Sequence, residues 1–286
     1  MIINIYRLKL ISAWVLLSVL GENSITKMEK TDLTEPERIC TSKCWYLNPE
    51  NSVLLVPSNK AEIIIPLDCQ HLEVKMIGNA RTTILKGSSP YFVPPRGRGL
   101  ELTSTVDCSC LVIEVEPLLT TAFLESSNRL SNNIHELEMF GEHELESLIA
   151  RCMIQDDDSI AQLIKEAIQY DSIELNNTVR DSVAMIRESR GMLPIKDIYQ
   201  TLEISKSKLE QHFNKEFGLT PKEYSKIEKL TFFINTYFEN ESQNLTELTY
   251  QCGYYDQSHL IKDFRYFLST SPKRFLNSYT NHLQLA

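Results

Sequence analysis

Apolar positions in this chain follow two periods, and the change falls near Pro117. From Cys40 to about Glu116 the apolar runs are short and rich in β-branched residues. They read "SVLLVP", "AEIIIPL", "HLEVKMIG", "TTILKG", "YFVPP", "GLELTS" and "CSCLVIEVEP". Pro, Gly, Asn and Asp separate them, and "PPRGRG" is a turn-rich loop. Short strands at close spacing predict a β-barrel or sandwich. After Pro117 the apolar residues recur at helical spacing, in "LLTTAFLESS" and "GEHELESLIARCM". In "SIAQLIKEAIQY" the residues Ile160, Leu163, Ile164, Ala167 and Ile168 form one stripe. Asp156-Asp157-Asp158-Ser159 before it suits a helix start, with negative charge at the positive end of the helix dipole. "NNTVRDSVAMIRESRG" reads as a further helix ending at Gly191, and everything beyond it reads helical.

The expected fold class is multidomain. A leader or disordered segment covers residues 1–39, a mainly-β domain with trailing helices covers 40–175, and an all-α domain covers 176–286. The linker falls around Tyr170 to Asn177.

The helical third contains a repeat. "SKSKLEQHFNKEFGLTPKEY" (Ser205 to Tyr224) answers "DQSHLIKDFRYFLSTSPKRF" (Asp256 to Phe275) at an offset of 51. Leu209 pairs with Leu260, Phe213 with Phe264, Phe217 with Leu268, and Tyr224 with Phe275. Upstream, at an offset of 50, Ile195 pairs with Leu245 and Ile198 with Leu248. Each unit fits a helix-turn-helix. Gly253 suits the left-handed conformation of a sharp turn. Ser205 and Asp256 suit N-caps. Leu209, Phe213 and Phe217, like Leu260, Phe264 and Phe267 or Leu268, fall on one buried face. Lys206, Ser207, Lys208, Glu210, Gln211 and Asn214 are left outside in the first unit, and Gln257, Ser258, Ile261, Lys262 and Arg265 in the second. Gln, Ser and Lys in the first turns of a helix suit a DNA major groove: Gln can pair bidentately with adenine, and Lys with guanine O6 and N7.

Charge changes this picture a little. The 286 residues carry a net charge of −9, but from Arg190 onward there are 12 basic and 11 acidic side chains. The helical third is therefore near neutral, which predicts weak non-specific binding to a polyanion. The seven cysteines are scattered and odd in number, unlike the framework of a short secreted domain, and reduced thiols are the simpler reading. Cys108 and Cys110 lie at i, i+2 on one strand face, and Cys40 and Cys44 form a CxxxC that, with Cys69 or His71, has the makings of a zinc or oxidant site. Against that, free Cys usually packs as a small hydrophobe. Arg7 and Lys9 before the apolar run Leu10 to Leu20 resemble a signal peptide, and a later start at Met28 is the preferred alternative. There is no Gly-rich phosphate loop, no GxSxG and no HExxH, so neither an enzyme nor a bound cofactor is expected.

"GYYDQSHLIKDFRYFLSTSPKRFL" resembles the signature of the AraC/XylS transcription factors: Gly253 and an aromatic, Asp256-Gln257-Ser258-His259, Phe264, then Ser271-Pro272 and Phe275. The likeness covers about Gly191 to Tyr279. It implies two helix-turn-helix modules joined by a long helix, roughly Lys222 to Phe238, reading successive major-groove segments of double-stranded DNA. The matching base-reading positions are Ser207, Glu210 and Gln211, then Gln257, Ser258 and Lys262. Lys208, Lys273 and Arg274 match phosphate contacts. The chain departs from the pattern at Tyr199, at Thr249, in "KLTFFINTYF" of the linking helix, and at Glu210, which would repel phosphate but can accept from cytosine N4. The N-terminal half is more loosely similar to the cupin-like β-barrels fused to such regulators. This implies an effector site or a homodimer contact, a cytoplasmic location, and RNA polymerase as a partner if genes are activated. Two other readings stay open. One is a cupin-like ligand-binding protein or enzyme with a degenerate helical appendage, and the other is an adaptor that presents its helices to another protein. Salt-sensitive, sequence-selective DNA binding separates these from a regulator.

Overall fold

The structure is a computed structural model and describes residues 40–47, 52–115, 134–154, 157–167, 176–239 and 244–283. In its first half each of the seven quoted runs is a strand, β2 (Ser52–Leu55), β3 (Ala61–Pro66), β4 (His71–Met76), β5 (Thr82–Lys86), β6 (Tyr91–Val93), β7 (Leu100–Thr103) and β8 (Cys108–Val115), and a further strand, β1 (Cys40–Leu47), precedes them. With a short ninth strand, β9 (His135–Glu136), they pair antiparallel into two sheets, ordered β1-β8-β3-β6-β9 and β2-β7-β4-β5. The apolar patterns follow from where each strand sits. β4 alternates exposed and buried residues because one face meets water, whereas all six residues of β3 are buried. One face of β3 and β8 packs towards the second sheet, with Ile64, Cys108, Cys110 and Val112 against Leu72, Val74, Leu85, Leu100 and Leu102. The other face, with Ile63, Ile65, Leu111 and Ile113, is covered by α1 (Glu142–Met153) and α2 (Asp157–Ala167) through Leu148, Ile160, Ala161 and Ile164. A strand buried on both faces reads as an unbroken apolar run. This mainly-β architecture of two antiparallel sheets is the fold class expected for the first domain.

Two expectations change here. The text around His135 was read as helical, but His135–Glu136 forms a short strand, β9, which pairs with Tyr91 and Phe92 at the edge of the five-stranded sheet. Backbone pairing with a neighbouring strand overrides the local helical spacing. Second, the cysteines are not all reduced thiols: Cys69 and Cys108 form a disulfide, with Cα atoms 5.1 Å apart. Register explains it. Pro66 lies opposite Cys110, and the N–H of Leu67 donates to the Ser109 carbonyl at 2.9 Å, which carries the chain after β3 onto the start of β8. Cys69 is thereby taken out of any zinc set, and among the described residues no group of His, Cys, Asp or Glu could hold a metal ion. Cys110 and Cys152 are buried.

The second half is helical: α3 (Asn177–Glu188), α4 (Ile195–Thr201), α5 (Lys206–Phe217), α6 (Pro221–Glu239), α7 (Leu245–Gln251), α8 (Gln257–Leu268) and α9 (Pro272–Leu283). Ser271 onward falls in a separate compact unit from Arg38–Thr270, and α9 is described by itself. The linking helix α6 begins at a capping box. Thr220 Oγ1 accepts from the Glu223 N–H at 3.2 Å, Glu223 Oε2 accepts from the Thr220 N–H at 3.1 Å, and Pro221 opens the first turn. The sequence repeat extends to backbone conformation. The turns of the two modules place Glu203 (φ 51°) and Gly253 (φ 71°) in the left-handed region, and their second helices, α5 and α8, end on Gly218 (φ 66°) and Ser269 (φ 51°). Each pair is related by the same offset as its part of the repeat.

"LLTTAFLESS", the apolar run Leu10 to Leu20 and the linker up to Leu175 lie outside the described residues. No helix among the described residues is long and apolar enough to cross a membrane.

Two stability outcomes follow. A bridge across a sequence separation of 39 residues restricts the unfolded chain by up to about 4 kcal/mol. Dithiothreitol should therefore lower the melting temperature of the β domain, and alkylation with mass analysis should count two more thiols after reduction. Ser269→Gly relieves a left-handed non-glycine residue and should raise stability by roughly 0.5–1 kcal/mol in urea titration; a loss would contradict the assigned conformation.

Candidate nucleic-acid interface

Each module presents one helix to solvent by its N-terminal turns. Ser205 Oγ accepts from the Lys208 N–H at 3.3 Å and Asp256 Oδ1 from the His259 N–H at 2.7 Å, so both caps act as the sequence implied. Leu209, Phe213 and Phe217 bury one face of α5; Leu260, Phe264, Phe267 and Leu268 bury the matching face of α8. The anchor of each module is aromatic and lies on α6. Tyr224 stands 5.7 Å from Phe213 and 5.4 Å from Phe217, and Phe233 stands 5.7 Å from Phe264 and 6.2 Å from Tyr254.

The opposite faces carry the residues singled out above. On α5, Ser207, Lys208 and Gln211 are exposed, while Glu210 is half-buried. Lys206 Nζ lies 3.7 Å from Glu210 Oε1, which offsets the negative charge that made this position the awkward one. Lys206 is exposed and Glu210 partly so, and the pair therefore contributes under about 1 kcal/mol and yields easily to another partner. On α8, Gln257, Ser258, Lys262 and Arg265 are exposed and Ile261 is half-buried. Lys273 and Arg274 are exposed in the first turn of α9, where Ser271 Oγ accepts from the Arg274 N–H at 3.3 Å.

Three features were not read from the sequence. Gln257 Nε2 donates to Thr246 Oγ1 at 2.7 Å, so the first helix of the module holds a side chain of the second. This needs the turn to bring residues eleven apart together, and spacing alone does not show it. Tyr250 and Tyr255, which lie between these two residues in the chain, are 60% and 85% exposed, unusual for tyrosine. Asp263 is buried in α8 and accepts from Lys226 Nζ at 2.6 Å. Its position between Leu260 and Phe267 on the buried arc was a legible signal of a buried partner, and in the repeat it corresponds to His212 of α5.

Around Asp263 the interior of the second module is set against ionisation. Burial, then the Asp263 charge, pushes the Tyr254 hydroxyl far up. Burial lowers Lys229, although Asp263 opposes it, and Lys229 Nζ donates to the Gly253 carbonyl at 3.3 Å. Burial pushes the Cys252 thiol up to about 11. The unfolded chain therefore releases the Cys252 proton first, and this contribution to stability is lost as pH rises from the ordinary thiol range towards that value. Iodoacetamide at mildly alkaline pH should label Cys252 only after denaturation; labelling of the native chain there would contradict the packing of the turn.

A helix-turn-helix domain family matches residues 198–278. No curated protein sequence matches the chain. Solved structures of ToxT from Vibrio cholerae are similar in fold. One at 1.65 Å resolution is 11% identical, covers 83% of this chain and 97% of its own, and has a TM-score of 0.55. A second, from strain O395, is 12% identical, covers 84% and 98%, and has a TM-score of 0.53. A third, with an unsaturated fatty acid bound, is 12% identical, covers 85% and 96%, and has a TM-score of 0.57. Residues 198–278 therefore match a helix-turn-helix domain family, and the fold of the chain, a mainly-β domain followed by paired helix-turn-helix modules, is similar to that of ToxT.

Proposed function

We propose that this chain is a sequence-specific DNA-binding transcription regulator, with α5 and α8 reading successive major-groove segments. The observation that carries the reading is the duplication. Two modules with matching caps, turns and helix ends expose polar first turns, and one continuous helix joins them. A helix of 19 residues spans about 28 Å, close to the roughly 34 Å of one DNA turn. Ser207, Glu210 and Gln211 would face one box, and Gln257, Ser258 and Lys262 the other. Lys208, Lys273 and Arg274 would hold phosphates, fixing register without reading sequence. The chemistry of α8 is the more specific: Lys262 suits guanine, and Gln257 suits adenine. With one amide N–H of Gln257 held by Thr246, its other N–H and its carbonyl remain for a bidentate pair in a fixed order.

The β domain is assigned to effector sensing or to a homodimer contact. A fatty acid is bound in one of the ToxT structures; for this chain a small apolar acid is the first effector class to try. A partner in the chromosome carries a cytoplasmic location with it, and RNA polymerase as a further partner if binding activates.

The test is selection of genomic fragments by the purified protein at two salt concentrations. One motif with two boxes about a helical turn apart is expected, and no enrichment at either salt, with or without added fatty acid, would sink the reading. Lys262→Ala should then cost about 1–3 kcal/mol at one box and leave the other unchanged. Thr246→Val should relax the adenine preference at a single position of that same box without changing the salt dependence, whereas Thr246→Ser should keep it; equal loss at all positions would remove Thr246 from base reading.

A further inference from the structure

The β domain touches the helical domain through two loops that pair with each other. Ser58 and Arg96 exchange backbone hydrogen bonds, 3.3 Å from the Ser58 N–H and 2.9 Å from the Arg96 N–H. The root of the second loop is fixed from inside. Arg96 Nη1 lies 2.8 Å from Glu62 Oε2, with side chains only 3% and 6% exposed, and Arg96 Nη2 donates to the Val56 carbonyl at 3.1 Å. A paired and buried guanidinium of this kind does not drift.

From that root the loops reach two different helices. Asn59 Nδ2 donates to the Tyr224 carbonyl and to Glu228 Oε1, both at 3.0 Å, on α6. The Gly99 N–H donates at 3.0 Å to the carbonyl of Phe267, in the last turn of α8, where carbonyls lack intrahelical partners. The Arg98 guanidinium lies 3.9 Å above the ring of Tyr266, also at the negative end of the α8 dipole. Tyr266 in turn donates its hydroxyl to Glu223 Oε1 on α6 at 3.4 Å. Gly99 is closely enclosed: a Cβ would sit 3.0 Å from both Leu268 Cδ2 and the Leu55 carbonyl, and its neighbours would have to give way.

α6 is rooted in the first module through Tyr224, and α8 is the exposed helix of the second. Loops that grip both fix the angle between them. We infer that Asn59 and the segment Pro94–Gly99 act as a strap that sets the relative pose of the two DNA-reading helices, so that the β domain determines which spacing between boxes the protein accepts. None of these residues needs to touch DNA; they are positioning residues, and the inference rests on the DNA-binding reading above. The physical reason is preorganisation. Two linked modules bind a two-box site with an advantage that depends on the geometry holding both in place, and a looser joint spreads that advantage over several spacings.

The experiment uses the full chain and the two-box fragment that the wild-type protein enriches, rebuilt with one or two base pairs inserted or removed between the boxes, alongside single-box fragments. The wild-type protein should prefer one spacing by about tenfold or more. Arg98→Ala combined with Asn59→Ala should flatten that preference to within about threefold, while each single box is bound within about twofold of wild type. Arg98→Lys, which keeps the charge over Tyr266 but not the planar stack, should fall between them. An unchanged spacing profile in the double variant overturns the strap and leaves the DNA reading standing. Parallel loss on single boxes also overturns it, by marking a stability effect, and Arg98→Lys gives the same decision where the double variant folds poorly. A wild-type protein that enriches no fragment removes the DNA reading and the strap with it.

Discussion

Helix α6 is where the helical domain is decided. It contributes Tyr224 to the aromatic cluster of the first module and Phe233 to that of the second, so neither module closes its core without it. Ser225 Oγ–H donates to the Gly191 carbonyl and ties the end of the preceding segment to the same helix. Phe213, Phe217, Phe233 and Phe264 are all almost completely buried, and truncating any one of them forfeits about 3–5 kcal/mol, a large share of a domain's net stability. Aromatic burial on one rod therefore couples two units that their sequences would allow to fold as separate hairpins.

Buried charge adds selectivity of packing to that apolar hold. An ion pair with a buried member contributes little net stability, but separating it strands that charge in a poor solvent. Lys226 with Asp263 therefore penalises any sliding of α8 along α6, and Arg96 with Glu62 penalises any displacement of the loop that meets Tyr266 and Phe267. Each pair lies at a joint rather than in the middle of a core. Shape complementarity among phenylalanines tolerates small rotations; a hydrogen-bonded carboxylate at 2.6 Å does not.

The two outer faces differ although the modules share a plan. Gln257, Ser258 and Lys262 stand free of acidic neighbours on their helix face, whereas Glu210 stands beside Lys206. Affinity from charge alone is then small, consistent with a helical third whose acids and bases almost balance. On the proposed DNA reading, discrimination comes from hydrogen-bonding groups held in a fixed orientation. Thr246 on Gln257 is such a hold.

Much of this was legible in the sequence because it is local or periodic. The strands bounded by Pro and Gly, the caps Ser205 and Asp256, the turn at Gly253, the buried Leu and Phe positions and the exposed first turns follow from spacing and from the conformational preferences of single residues. What spacing misread or missed depends on partners distant in the chain. β9 exists because β6 offers it an edge, Cys69 meets Cys108 because β3 and β8 share a register, and Asp263 is tolerated because Lys226 arrives from another helix. The sequence by itself determined two domains, a doubled helix-turn-helix and the side chains it exposes, since these follow from propensity and repetition. Only the tertiary structure decided how the β domain grips α6 and α8, because Asn59 and Gly99 find Tyr224 and Phe267 across more than 160 residues, a distance at which no local pattern records a contact.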